Sequence, residues 1–228
     1  MRRGVISAAL VILSLGATAW GQHLPGFLQR KNSDFRTYGK ITAFHLNAPL
    51  ATSPPLTDFS HFPLKNFSYP LYPTASSGEA GMVPGNTETG DPLVIPVEGG
   101  LYDHKEDATN PMEFEPIKAD PVQLPKAPGG SALLVYSVLY TGDQLANCTG
   151  IVQVMELQKG QLILTDQISY DCRGGADAEW NQDKHQLTVR SAVYSLGDKP
   201  CCPSTYDHVV FKLDGEKIKT GEVVLNNQ

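Results

Sequence analysis

The sequence predicts a mainly β protein: a small antiparallel β-sheet domain, sandwich- or barrel-like, preceded by a proline-rich, largely irregular extension. Three observations predict it. Of seventeen prolines, fifteen fall between Pro25 and Pro128. From Ser131 onward the apolar residues follow strand periodicity, and no stretch there has helical period. The four cysteines, Cys148, Cys172, Cys201 and Cys202, all fall within that second part. The expected division is a signal peptide over 1–19, a partly disordered proline-rich extension over 20–130, and an antiparallel β domain with disulfides over 131–228.

The first segment has the three parts of a secretory signal. Arg2 and Arg3 give a positive start, Val5 to Leu15 an apolar core, and Ala17-Thr18-Ala19 the small-x-small pattern that a signal peptidase reads. The apolar run is shorter than the ~20 residues a membrane-spanning helix needs. Cleavage is therefore expected before Trp20, releasing a chain with no transmembrane segment into the periplasm or the extracellular space. Cleavage also removes Arg2 and Arg3, moving the net charge from −6 to −8. An acidic chain without a basic run is a poor partner for phosphate, which excludes nucleic acid. No cysteine follows the apolar core to accept a lipid.

In the extension, frequent prolines remove backbone donors and fix φ, so long helices and central strands are not expected. Short extended pieces are predicted at Gly39 to Leu46 and Leu93 to Val97. The aromatics Phe27, Phe35, Tyr38, Phe44, Phe59, Phe62, Phe67, Tyr69 and Tyr72 are too many for a purely solvated tail. They suit an arm that wraps a partner or the chain's own C-terminal domain.

The β domain is read strand by strand. Ala132 to Tyr140 is almost wholly apolar, as a strand buried on both faces is. Replacing Val135 in it with aspartate is expected to prevent folding, by burying an unpaired charge. Ile151 to Leu157 follows, and Lys159-Gly160 turns into Leu162 to Tyr170. There Leu162, Leu164, Ile168 and Tyr170 are expected to share one face, with Asp166 breaking the alternation. Ala178 to Trp180 leads through a turn into Leu187 to Leu196. Val209 to Leu213 precedes Asp214-Gly215, a hairpin signal because both residues tolerate positive φ, and Ile218 is placed on the returning strand.

Chemistry-bearing residues are sparse. In an exporting context an even cysteine count reads as disulfides. Cys201 and Cys202 either bond to each other, leaving Cys148 to pair with Cys172, or each reaches outward to one of those two. The first arrangement closes a Cys148–Cys172 loop worth on the order of 3 kcal/mol. A ring between neighbours tends to make a bridge easier to reduce. The motif Asp198-Lys199-Pro200-Cys201-Cys202-Pro203-Ser204 follows Gly129-Gly130, an apolar strand and a strand pair about Lys159-Gly160. Tyr206 and a closing strand before Asp214-Gly215 come after it. Over residues 129 to 220 this pattern resembles the LppP/LprE-like exported bacterial proteins, which carry a Cys-Cys-Pro-Ser element late in a small β-rich domain. The resemblance implies export and a β domain, and carries no catalytic residues with it. The chain differs from lipoprotein members in lacking the lipid-acceptor cysteine.

Asp177, Glu179, Asn181 and Asp183 alternate like the opening of a calcium loop, but Gln182 stands where the turn needs glycine and no glutamate closes the loop. The alternation fits a solvated strand edge instead. His23, His45, His61, His104, His185 and His208 have no metal-ligand spacing. Ser204, Asp207 and His208 are sequence neighbours only, and a triad is defined by geometry. Asn66-Phe67-Ser68 and Asn147-Cys148-Thr149 fit the glycosylation sequon. The expectation is a non-enzymatic exported protein, without cofactor, catalytic or metal residues. It is expected to bind an unknown protein or cell-envelope partner, or to act structurally in the envelope. The rivals are an enzyme assembled from Asp166, Asp177, Glu179 and His208, and a thiol–disulfide switch at Cys201 and Cys202.

Overall fold

The computed structural model describes residues 36–38, 40–52, 55–75, 79–104, 111–199, 201–215 and 219–224. The expected signal segment lies outside them, as do His23, Phe27, Phe35, Pro200 and Ile218.

The described chain is mainly β and antiparallel. Its strands are β1 (Arg36–Tyr38), β2 (Ile41–Leu50), β3 (Ser68–Leu71), β4 (Leu93–Pro96), β5 (Tyr102–His104), β6 (Met112–Gln123) and β7 (Ser131–Thr141). After these come β8 (Asn147–Gln158), β9 (Gln161–Asp171), β10 (Ala178–Asn181), β11 (Gln186–Val193), β12 (Thr205–Lys212) and β13 (Lys219–Val224). They form a seven-stranded sheet in the order β1-β2-β9-β8-β7-β6-β5, a four-stranded sheet β10-β11-β12-β13, and a two-stranded sheet β3-β4.

The two faces of the seven-stranded sheet carry separate cores. Period-2 geometry sends alternate side chains to opposite faces. On β7, Leu133, Val135 and Leu139 therefore join one apolar cluster with Phe59, Phe67, Tyr69, Leu71 and Ile95 from the segment around β3 and β4. Ala132, Leu134 and Tyr136 join the other, against Leu187, Val189, Val209 and Phe211 of the four-stranded sheet. The result is three layers, with β7, β8 and β9 sandwiched in the middle.

The expected boundary at residue 130 is not a boundary in the fold. β6 pairs with β7 from Met112↔Thr141 to Gln123↔Ser131, and β2 pairs with β9 from Thr42↔Ser169 to Leu50↔Leu162. The part read as a largely irregular extension thus supplies strands to both sides of the main sheet. Its prolines are compatible with this because of where they sit. Pro116 and Pro121 lie on β6 beyond the short reach of β5, which covers only Met112 to Phe114. Pro49 lies on β2 beyond the reach of β1, which covers Ile41 to Ala43. Pro70 and Pro96 belong to a sheet of two strands, where every strand is an edge. A residue without a ladder donor is tolerated on such open sides.

The face assignment on β9 is also corrected. Val154 pairs with Asp166 but Met155 pairs with Leu164, so Thr165 is an extra residue in the ladder. The opposite neighbour is irregular there too, between His45 and Ala48. A bulge of one residue reverses the side-chain alternation beyond it. Leu162 and Leu164 consequently belong to the first cluster, and Ile168 and Tyr170 to the second.

Amide side chains fasten the β3 layer to the sheet. Gln153 Nε2 donates to the carbonyl of Pro70 at 2.6 Å. Gln167 donates to the carbonyl of Tyr72 and accepts from its backbone N–H, both at 2.9 Å. The four-stranded sheet is tied down at its corners: Asp207 accepts from Lys40 N at 3.2 Å, Ser191 Oγ from Asp171 N at 3.0 Å, and Gln182 exchanges two bonds with the Gln123 backbone.

Candidate functional site

β11 and β12 end opposite each other at Val193↔Thr205, and the chain between them forms a loop at the rim of the four-stranded sheet. Its closure follows from its residues. The Asp198 carboxylate accepts from Ser195 N at 2.7 Å and from Ser204 N at 2.9 Å, clamping both ends. Those two backbone donors hold its carboxyl below the ordinary aspartate range. Ser204 Oγ donates to Ser195 Oγ at 3.0 Å, and Cys202 N to the Lys199 carbonyl at 2.9 Å. Cys201 and Cys202 are bonded to each other at the tip, both exposed. Cys148 and Cys172 form the other bridge, with Cα atoms 5.4 Å apart.

The loop is seated on the turn that follows Cys172. Gly174 has φ 63°, and a Cβ there would lie 2.1 Å from Cδ of Pro203. Glycine is thus required twice, for its conformation and for the approach of the proline ring. The Tyr206 hydroxyl donates to the Gly174 carbonyl.

Two arginine–tyrosine pairs flank this contact. The Arg173 guanidinium holds the buried Asp171 carboxylate with bonds of 2.6 to 3.2 Å and stands 4.3 Å from the Tyr194 ring centre. Arg190 stands 4.9 Å from the Tyr206 ring centre, donates to the Gly175 carbonyl at 2.6 Å and pairs with Asp177 at 3.2 Å. Leu196 protrudes fully into solvent beside them. The face is thus a fixed loop with an exposed leucine, rimmed by arginine and tyrosine.

The acids and histidine of the enzyme reading are not assembled. Glu179 and Asp177 are exposed on or beside β10, the edge strand of the four-stranded sheet. His208 lies opposite Arg190 on β12, in the same sheet. Asp166 belongs to the seven-stranded sheet. The row Asp177, Glu179, Asn181 and Asp183 is exposed, and among the described residues no group of three metal-ligating side chains forms.

Asp166 has a partner that the sequence did not suggest. Its Oδ1 lies 2.8 Å from Nδ1 of His45, on the adjacent β2. Burial pushes the Asp166 carboxyl up to about 6, against the opposing pull of the His45 hydrogen bond. Burial likewise raises Glu156, two positions beyond Val154 on β8. The only sequence signal was that Asp166 interrupts an apolar alternation; its partner lies 121 positions away.

Comparison of the chain with protein-family models, with curated proteins and with solved structures found no match. Among the described residues no helix is long and apolar enough to cross a membrane.

Proposed function

We propose that the chain is an exported, non-enzymatic β-domain protein, a binding or envelope-associated structural module that meets its partner through the Cys201–Cys202 loop face. The observation that carries this reading is a loop held rigid from within yet exposed at its tip. Ordering a contact loop beforehand lowers the entropy lost on association. Tyrosine and arginine, which border the loop as Tyr194, Tyr206, Arg173 and Arg190, are the residue types that dominate contact energies. The dispersal of Asp166, Asp177, Glu179 and His208 over two sheets supports binding over catalysis. The two disulfides suit an oxidising compartment, and the resemblance to LppP/LprE-like proteins rests on the same Cys-Cys-Pro-Ser element.

Site-specific photo-cross-linking tests the proposal. A photoreactive residue is placed at Leu196, and separately at Ile117, an exposed position on β6 that serves as control. In the exporting cell, a discrete adduct from position 196 and none from position 117 is the expected result. No adduct from 196, or the same products from both, overturns the assignment of this face.

A further inference from the structure

The Cys201–Cys202 bond and the Cys148–Cys172 bond occupy different surroundings. Cys148 and Cys172 are half-buried and lie where β8 begins and β9 ends, strands that pair side by side from Thr149↔Asp171 onward. Cys172 N also donates to the Cys148 carbonyl at 3.3 Å. The sheet therefore keeps these two residues together with or without the covalent bond. Cys201 and Cys202 are both exposed, and only a loop joins them to the sheet.

We infer that the Cys201–Cys202 disulfide is a redox-operated latch, whose reduction by a dithiol frees Pro203 from Gly174 and dismantles the loop face. The consequence for binding rests on the contact-face reading above; the latch itself does not. The exchange is balanced. A thiolate of the dithiol attacks one exposed sulfur, and the other sulfur leaves as a thiolate and takes a proton. The second thiol of the reductant then displaces the mixed disulfide, so that the dithiol ends as a disulfide and Cys201 and Cys202 as two thiols. Two electrons and two protons pass to the protein.

The coupling runs through adjacent positions. Pro203 follows Cys202 directly, and its ring fills the space over Gly174. Cys201 contributes as well, its carbonyl oxygen lying 3.3 Å from the Cβ position of Gly174. Opening the ring removes the covalent restraint on the two residues that aim the proline. What remains are the Asp198 clamp on Ser195 and Ser204, the Ser204–Ser195 hydroxyl bond, the bond from Cys202 N to the Lys199 carbonyl and the Tyr206 bond to the Gly174 carbonyl, none of which holds the Pro203 ring. The turn carrying Arg173 then loses the cover of the proline ring, while Asp171 still holds the arginine and Tyr206 the Gly174 carbonyl.

The test treats the folded protein with a limiting amount of dithiothreitol, alkylates it, and maps the labelled cysteines by mass spectrometry. Hydrogen exchange of the 172–176 amides is followed in parallel. The expected result is that Cys201 and Cys202 label at least about tenfold faster than Cys148 and Cys172, with a comparable rise in exchange at 172–176. The double variant C201S/C202S should show that raised exchange without reductant. Equal labelling of the two pairs, or labelling that leaves exchange at 172–176 unchanged, overturns the latch. Neither readout involves a partner, so a failure of the contact face in cross-linking is distinguishable from a failure of the latch.

Discussion

Asp166 is nearly enclosed, with a side chain 7% exposed, and its one carboxylate–imidazole contact is to His45. Its raised pKa fixes the sign of a pH dependence. In the unfolded chain the carboxyl titrates near 3.9, and in the folded chain near 6. Between those values the folded state holds the extra proton, so the Asp166 contribution to stability is full below about pH 4 and is lost as pH rises through about 6. A shift of about two units corresponds to ~3 kcal/mol. Glu156 shifts in the same direction and adds to the trend. D166N removes the Asp166 contribution. Urea unfolding at pH 4 and pH 7 is therefore predicted to favour wild type over D166N at the lower pH, with the advantage shrinking by ~2 kcal/mol at the higher. An advantage that stays constant between the two pH values would show that His45 fully offsets the cost of burial. The sequence marked Asp166 as an exception within a strand. It did not show His45, because pairing between strands so far apart along the chain is set by topology and not by local pattern.

At the scale of elements, β7 is the strand whose character was most legible. An unbroken apolar run implies burial on both faces, and Val135 is indeed wholly buried, in the layer that includes Tyr69 and Phe114. V135D is predicted to yield no cooperative unfolding transition, since a lone carboxylate there costs several kcal/mol against a marginal total stability. Near-ultraviolet circular dichroism and a thermal melt check it, and a wild-type-like melt would remove β7 from the core. The bulge at Thr165 was not legible. The apolar residues on either side of it keep an even spacing, and only the pairing register reveals that they face opposite ways. β6 was missed for a different reason: Pro116 and Pro121 argue against a central strand, and they do not argue against one left open along most of one side.

For the whole molecule, the antiparallel β class was legible from the C-terminal half, whereas the part played by residues 36–123 was not. Their aromatic content was the available signal, and the structure accounts for it: Phe59, Phe67, Tyr69 and Tyr72 fill the layer over the central sheet. Phe67 meets Tyr69, and Tyr69 meets Phe114, at ring separations of 5.0 and 5.3 Å. A fragment comprising residues 131–228 therefore exposes one full face of β7, β8 and β9 and leaves the pairing sides of β7 and β9 open. It is predicted to aggregate or to remain without a cooperative transition, while the chain from residue 36 onward folds; sedimentation and thermal melts of the two distinguish these outcomes. A soluble, cooperatively melting 131–228 fragment would restore the two-part organisation. The candidate site divided in the same way. Its cysteines and prolines stood out in the sequence, but its seat on Gly174 and its arginine–tyrosine rim depend on three-dimensional neighbours.

The loop face and the latch both depend on how the four cysteines are joined, and a disulfide map of the purified folded protein tests this most directly. Non-reducing proteolysis and mass spectrometry are predicted to find Cys148 linked to Cys172 and Cys201 linked to Cys202. Peptides joining the adjacent pair to Cys148 and to Cys172 would contradict the account, making the loop a fixed staple between strands with no exposed bond to open.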